Sequence, residues 1–141
     1  MVRGNIKYLI GSLNKEDLNN DSLKCTGRVK SALQDAYKVT PLVIAMIYED
    51  RLKSIRVGEE STLKMYHTAV EVEVRGNTYI ADLFLRDKVV TEEEYIKIMR
   101  SANGYQPVNV YRGEQALDTV SDINLGLKSP KDLNLVDSII W

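Results

Sequence analysis

One cysteine and one histidine occur in the whole chain, Cys25 and His67. A thiol becomes a strong nucleophile only as thiolate, and a helix N-terminus or a neighbouring imidazole promotes that ionisation. An imidazole can accept the proton, and a carboxylate can then fix its tautomer and orientation. Asp82 is the natural third member. It lies in the apolar stretch Tyr79-Ile-Ala-Asp-Leu-Phe84, where an unpaired carboxylate would be costly. Cys25, His67 and Asp82 are therefore the candidate nucleophile, base and orienting group for acyl transfer. One cysteine excludes an internal disulfide framework, and one Cys with one His excludes a standard Cys/His zinc site. No metal and no cofactor are expected. The glutamates Glu92-Glu93-Glu94 read as helix capping and dipole stabilisation rather than metal ligands.

The elements that must position these residues are legible in outline. From Ser22 onward, Val29, Ala32, Leu33, Ala36 and Tyr37 recur at helical spacing, with Asp21 or Ser22 as N-cap. Cys25 falls in phase with that stripe at its N-terminal end, in the expected first turn. Leu42 to Tyr48 reads as a strand buried on both faces, and Leu52 to Val57 as a short strand within a charged loop. His67 to Val74 alternates strictly, Arg75-Gly76-Asn77 signals a turn, and Thr78 to Leu85 is the returning strand. If the loop is Arg75-Gly76, Ala69 faces Asp82 and His67 is diagonal to it, within side-chain reach. If the loop is Gly76-Asn77, Asp82 faces Glu71 and the separation is too long without a bulge. His67 also shares its strand face with Glu71 and Glu73, whereas the Cys25 helix should cover an apolar face. Either the helix covers only the Ala69 end, or a bulge near His67 switches its side.

Further on, Thr91-Glu-Glu-Glu94 is a capping box with Val90 and Tyr95 as its hydrophobic staple, opening a helix that runs to about Ser101. Pro107 to Arg112 is a short strand. Ser129-Pro130 begins a final helix with Leu133, Val136 and Ile140 inward. Residues 1–20 read as a weakly ordered lead-in to a single domain spanning 1–141. The fold class is α+β, a Cys-bearing helix on a mostly antiparallel sheet.

Composition narrows the functional classes. The chain has 141 residues, with 19 Lys+Arg against 20 Asp+Glu. That balance makes a nucleic-acid partner unexpected. Hydrophobic residues make up 44% and charged residues 28%, a globular mix. The apolar run Leu42 to Tyr48 falls far short of the roughly 20 residues of a membrane helix, and no signal peptide is read at the N-terminus.

Three segments carry a resemblance to a known family: Leu23-Lys-Cys25-Thr-Gly-Arg-Val-Lys-Ser-Ala-Leu33, Tyr66-His67-Thr-Ala-Val-Glu-Val72 and Tyr79-Ile-Ala-Asp82-Leu-Phe84. Their order resembles papain-like enzymes, and more closely the small papain-fold toxin domains at the C-termini of bacterial polymorphic and contact-dependent growth inhibition toxins. The resemblance covers roughly residues 20–100. It implies a papain-like fold, with Cys25 as nucleophile, His67 as general base and Asp82 as orienter. Upstream amides, Asn19 or Asn20, would stand in the oxyanion hole where papain-like peptidases usually have Gln. It also implies a cysteine-dependent amide hydrolase, a peptidase or glutamine deamidase, acting on a protein substrate. Such a domain is delivered to the target-cell cytoplasm as part of a larger toxin and is bound in the producer by a cognate immunity protein.

Two other classes compete. In a metal-independent ribonuclease, His67 would act with Tyr66 and a Lys or Arg, and Cys25 would be structural. In a non-catalytic interaction or immunity protein, the acidic groups at Glu59-Glu60 and Glu92 to Glu94 would form a binding surface. A lone cysteine is more often a small buried hydrophobe than a nucleophile; Tyr66, next to His67, and Tyr48 are candidate pocket residues, although eight tyrosines mostly serve packing and rims.

Overall fold

A computed structural model describes residues 2–48, 54–57, 63–128, 133 and 138–141. The protein is α+β. Among the described residues the α-helices are α1 (Val2–Ile10), α2 (Ser22–Tyr37), α3 (Glu92–Ala102) and α4 (Glu114–Asn124), with a 3-10 turn at Lys15–Leu18. The strands are β1 (Leu42–Tyr48), β2 (Ile55–Arg56), β3 (Leu63–Lys64), β4 (His67–Val74), β5 (Asn77–Ala81), β6 (Val89–Thr91), β7 (Val108–Arg112) and β8 (Ile139–Ile140). Six of them form one sheet in the order β6-β5-β4-β1-β7-β8, antiparallel at each pairing, and β2 pairs with β3.

Alternation along the strands sorts their side chains between two layers. Val70, Val72 and Val74 pack under α1 and α2, in one apolar cluster with Cys25, Val29, Leu33 and Phe84. Val43, Ala45 and Ile47 continue that side of the sheet beneath α4. The opposite face presents Ile44, Met46, Ala69 and Ile80 to α3, through Tyr95 and Met99. Strand β1 is thus covered on both faces, as its unbroken apolar run demands.

The hairpin pins the register on which the site depends. Val74 pairs with Asn77 and Val70 with Ala81, so the loop is Arg75-Gly76. Both loop residues have positive φ, 53° and 80°, matching the twist a two-residue hairpin loop requires. Strand β5 ends at Ala81 rather than running to Leu85. Asp82 begins a turn-rich segment, in which the Asp82 N–H reaches across to the Lys88 carbonyl at 2.9 Å.

Three further expectations are corrected. Residues 2–10 are helical, not a loose lead-in, because Ile6 and Ile10, four apart, are fully buried against the core. Arg3 ties this helix down through Glu94 and Asp87. Glu94 gives its carboxylate to Arg3, so the cap on α3 is Thr91 Oγ1 accepting the Glu94 N–H at 3.2 Å. At the C-terminal end, residues 139–140 form a strand beside β7, with Ile140 exposed instead of inward. The rest of the expected final helix, residues 129–132 and 134–137, lies outside the described residues, as do 52–53 of the expected short strand and Glu59-Glu60. Helix α4, which packs on β1 and β7, carries no strong start signal in the sequence, since Gly113 in its N-cap position offers no side-chain cap.

Candidate active site

Asp21 is the N-cap of α2, its Oδ1 accepting the Lys24 N–H at 3.0 Å. That leaves the hydroxyl of Ser22, the first residue of the helix, free for other partners. It turns inward to the start of β4. Its Oγ lies 3.1 Å from His67 Nδ1, accepts the Thr68 N–H at 2.9 Å, and stands 2.8 Å from Thr68 Oγ1 and 3.1 Å from the Thr68 carbonyl. Thr26, one turn along, meets Thr68 Oγ1 at 2.9 Å.

The other side of the imidazole is held by Asp82. His67 Nε2 and Asp82 Oδ2 are 2.6 Å apart, and the Tyr95 hydroxyl donates to the same oxygen at 2.6 Å. Asp82 Oδ1 accepts the N–H of Phe84, two residues on, at 2.9 Å. This local Asx geometry fixes the carboxylate plane at the exit of β5. Phe84 sets its ring edge-on to the imidazole, with centroids 5.1 Å apart. The relay Ser22, His67, Asp82, Tyr95 is buried, with fractional exposures of 5%, 0%, 3% and 0%.

The two faces of the sheet are reconciled at this point. By alternation His67 belongs with Ala69 on the α3 side, where Tyr95 also lies. Being the first residue of β4, its ring sits at the end of the sheet, where the tip of α2 reaches it from the other layer. No bulge is needed in the described ladder, and the diagonal from His67 to Asp82 is the one that the Arg75-Gly76 loop allows.

The charges follow from this packing. Burial pushes the Asp82 carboxyl up. The His67 charge and hydrogen bond, the Tyr95 hydroxyl and the Phe84 N–H outweigh it and hold the group below the ordinary carboxylate value. Burial, reinforced by the Asp82 charge, lifts Tyr95 well above an ordinary phenol, so it remains a hydrogen-bond donor.

Cys25 lies in the first turn of α2 as expected, as its fourth residue, but the environment of its thiol differs from the expected one, and its own N–H is already bonded to the Asp21 carbonyl at 3.0 Å. It is 3% exposed, inside the α1–α2 apolar cluster. Burial, then the charges of Asp82 and Asp21, push its thiol up, against a smaller opposing pull from Lys64. The expected lowering by helix-end N–H groups is therefore reversed by desolvation. The structure brings His67 and Asp82 into contact, and at Nδ1 the hydrogen-bonding partner is Ser22. Cys25 follows one turn along α2.

Ser22 opens onto a surface cleft of about 400 Å³, lined also by Asn19, Asn20, Asp21, Lys64, Met65, Tyr66 and Asn124. Asn19 and Asn20 both have positive φ at the end of the 3-10 turn, and the Asn20 carbonyl accepts from Lys64 Nζ at 2.8 Å. Lys64 Nζ also stands 4.5 Å over the Phe84 ring. Tyr66 donates its hydroxyl to Asn124 Oδ1 at 3.0 Å, and burial raises its pKa.

Sequence reasoning treated Ser22 only as a possible cap and Tyr95 only as a staple. The signal for Tyr95 was present, because a buried tyrosine needs a partner for its hydroxyl and a buried Asp needs donors. Ser22 was hidden by the adjacent Asp21, which is an equally good cap.

Among the described residues, no helix is long and apolar enough to cross a membrane, and no group of three or more His, Cys, Asp or Glu could hold a metal ion. Comparison with protein-family models, with curated proteins and with solved structures finds no match.

Proposed function

We propose that this chain is a papain-like, cysteine-dependent hydrolase of amide bonds, a peptidase or glutamine deamidase, acting as a toxin on a protein of the target bacterium. One observation carries the reading. His67 is held at Nε2 by a buried carboxylate, while its other nitrogen, Nδ1, faces Ser22 in the first turn of α2, and Ser22 in turn lines the cleft. An imidazole held in this way is oriented for proton transfer at one atom.

In the proposed reaction the Cys25 thiol gives its proton to His67 Nδ1, and the sulfur attacks the substrate carbonyl carbon. The tetrahedral intermediate collapses as the leaving amine, or ammonia in a deamidation, takes that proton. Water, deprotonated by His67, then cleaves the thioester and releases the acid and the thiol. Asn19 and Asn20 on the cleft rim are the candidate oxyanion donors. The Ser22 hydroxyl occupies Nδ1 in the free protein and has a second acceptor, the Thr68 carbonyl at 3.1 Å, to which it can turn. Catalytic hydrogen bonds often form only with substrate bound. Delivery within a larger toxin and neutralisation by an immunity protein complete the proposal and rest on the family resemblance.

A second reading is favoured by the 3.1 Å approach of Ser22 Oγ to Nδ1. The same base and carboxylate would then serve a serine nucleophile, with Cys25 as core packing. Expression of single-residue variants in a bacterial cytoplasm separates the two readings, with growth arrest and new protein N-termini or deamidated glutamines as readouts. Loss of arrest in Cys25→Ala and in His67→Ala, with arrest retained in Ser22→Ala, is the expected pattern. Full arrest by Cys25→Ala and none by Ser22→Ala would move the nucleophile to Ser22. Degraded RNA with arrest indifferent to both would overturn the amide-cleaving proposal.

A further inference from the structure

Asp82 Oδ2 receives two hydrogen bonds of equal length, from His67 Nε2 and from the Tyr95 hydroxyl, each 2.6 Å. Two donors on one carboxylate oxygen compete for the same charge. The stronger the phenol bond, the less negative charge remains to hold the imidazole N–H and to stabilise an imidazolium. Tyr95 has no alternative role at this contact, since an ionised Asp82 has no proton to offer it. Its ring is fixed from behind by Trp141, edge-on at 5.9 Å. The Trp141 backbone is bonded in both directions to Val108 at 2.9 Å. The phenol is thus held against the carboxylate by packing on α3 and β7, independently of anything that binds in the cleft.

We propose that Tyr95 is a positioning residue, whose hydroxyl acts through Asp82 to set how firmly the carboxylate holds His67 and therefore the pH at which His67 takes up a proton. The significance for catalysis rests on the hydrolase reading above, whereas the coupling itself does not. The titratable and charged groups around His67 come from several elements. Asp82 follows β5, and Tyr95 comes from α3. Helix α2 and its cap bring Cys25 and Asp21. Lys64 of β3, at 4.5 Å, and Lys15 of the 3-10 turn, at 6.0 Å, flank the Phe84 ring that abuts the imidazole. Of the two side-chain donors on Asp82 Oδ2, Tyr95 is the one whose contact can be deleted as a single oxygen while carboxylate and imidazole both stay in place.

The chain contains one histidine, so the imidazole proton and nitrogen resonances of the full-length protein report this site without assignment ambiguity. In Tyr95→Phe the midpoint of the His67 titration is expected to move to higher pH by about half a unit or more, roughly a three-fold change in proton affinity. Site-specific replacement of Tyr95 by 3,5-difluorotyrosine, a stronger donor of the same shape, should move it the opposite way. An unchanged midpoint in Tyr95→Phe, or a shift of the same sign in both proteins, would overturn the proposal. Should Tyr95→Phe not fold, the fluorinated protein decides the matter alone. A shifted midpoint combined with full growth arrest by Cys25→Ala would remove the cysteine reading and leave this coupling intact. An unchanged midpoint with arrest lost in Cys25→Ala would do the reverse.

Discussion

Replacing Asp82 by Asn keeps its shape and removes its charge. The wild-type carboxylate accepts three buried donors, from His67, Tyr95 and the Phe84 N–H. An amide has one acceptor oxygen. With that oxygen at the Oδ2 position, the NH2 group confronts the Phe84 N–H, donor against donor. With the oxygen at the Oδ1 position, His67 must move its proton to Nδ1 and give it to Ser22, and the Tyr95 hydroxyl is still orphaned. Either way one buried donor loses its partner, at a cost of about 1–3 kcal/mol, and the remaining bonds lose charge assistance worth about 1 kcal/mol each. Burying a neutral group instead of a charge returns part of this, so the expected loss is roughly 2–3 kcal/mol near pH 7. The pH dependence has a definite sign. The folded-state carboxyl of Asp82 lies below its ordinary value of 3.8, so its stabilisation is complete above the unfolded value and is lost as pH falls towards the folded one. Urea unfolding of wild type and Asp82→Asn should show a clear gap at neutral pH that narrows as pH falls below about 4. A gap under about 0.5 kcal/mol at neutral pH, or one that widens as pH falls below about 4, would refute the three-donor network on Asp82.

Cys25 in the free protein should alkylate slowly, with a midpoint above the ordinary thiol value of about 8.5, and should regain ordinary reactivity in denaturant. A midpoint about one unit or more below 8.5 in iodoacetamide kinetics would mean that burial does not govern the thiol. Gly76→Val places a β-branched residue at φ 80° in the hairpin loop and should cost about 1–2 kcal/mol in thermal or urea unfolding. A neutral effect would mean that the loop tolerates another conformation.

Much of the site's frame could be read from residue order. The period-two pattern of β4, the Arg75-Gly76-Asn77 turn signal and the polar outlier in Tyr79-Ile-Ala-Asp82 together allow His67 to reach Asp82, and the structure's choice of Arg75-Gly76 as the loop fixes the register that does so. The Thr91 cap and α3 were equally visible. What eluded pattern reading depends on three-dimensional competition. Asp21 and Ser22 are both good caps, and only the position of β4 decides that Asp21 caps while Ser22 turns inward. The thiol's environment is set by how deeply α1 and α2 pack together, which no spacing along α2 reveals. Helix α1 was missed because two buried isoleucines in nine residues make a weak periodic signal, and its anchor, Arg3, finds acidic partners more than eighty residues away.

The two-residue loop at Arg75-Gly76 serves as a gauge block for chemistry at the far end of the hairpin. One inserted residue there would slide Asp82 past its mark and swing the carboxylate through to the opposite layer, with every atom of the relay otherwise present. Descendants of this chain can therefore vary the colour of the bend, its charge and polarity, far more readily than its length.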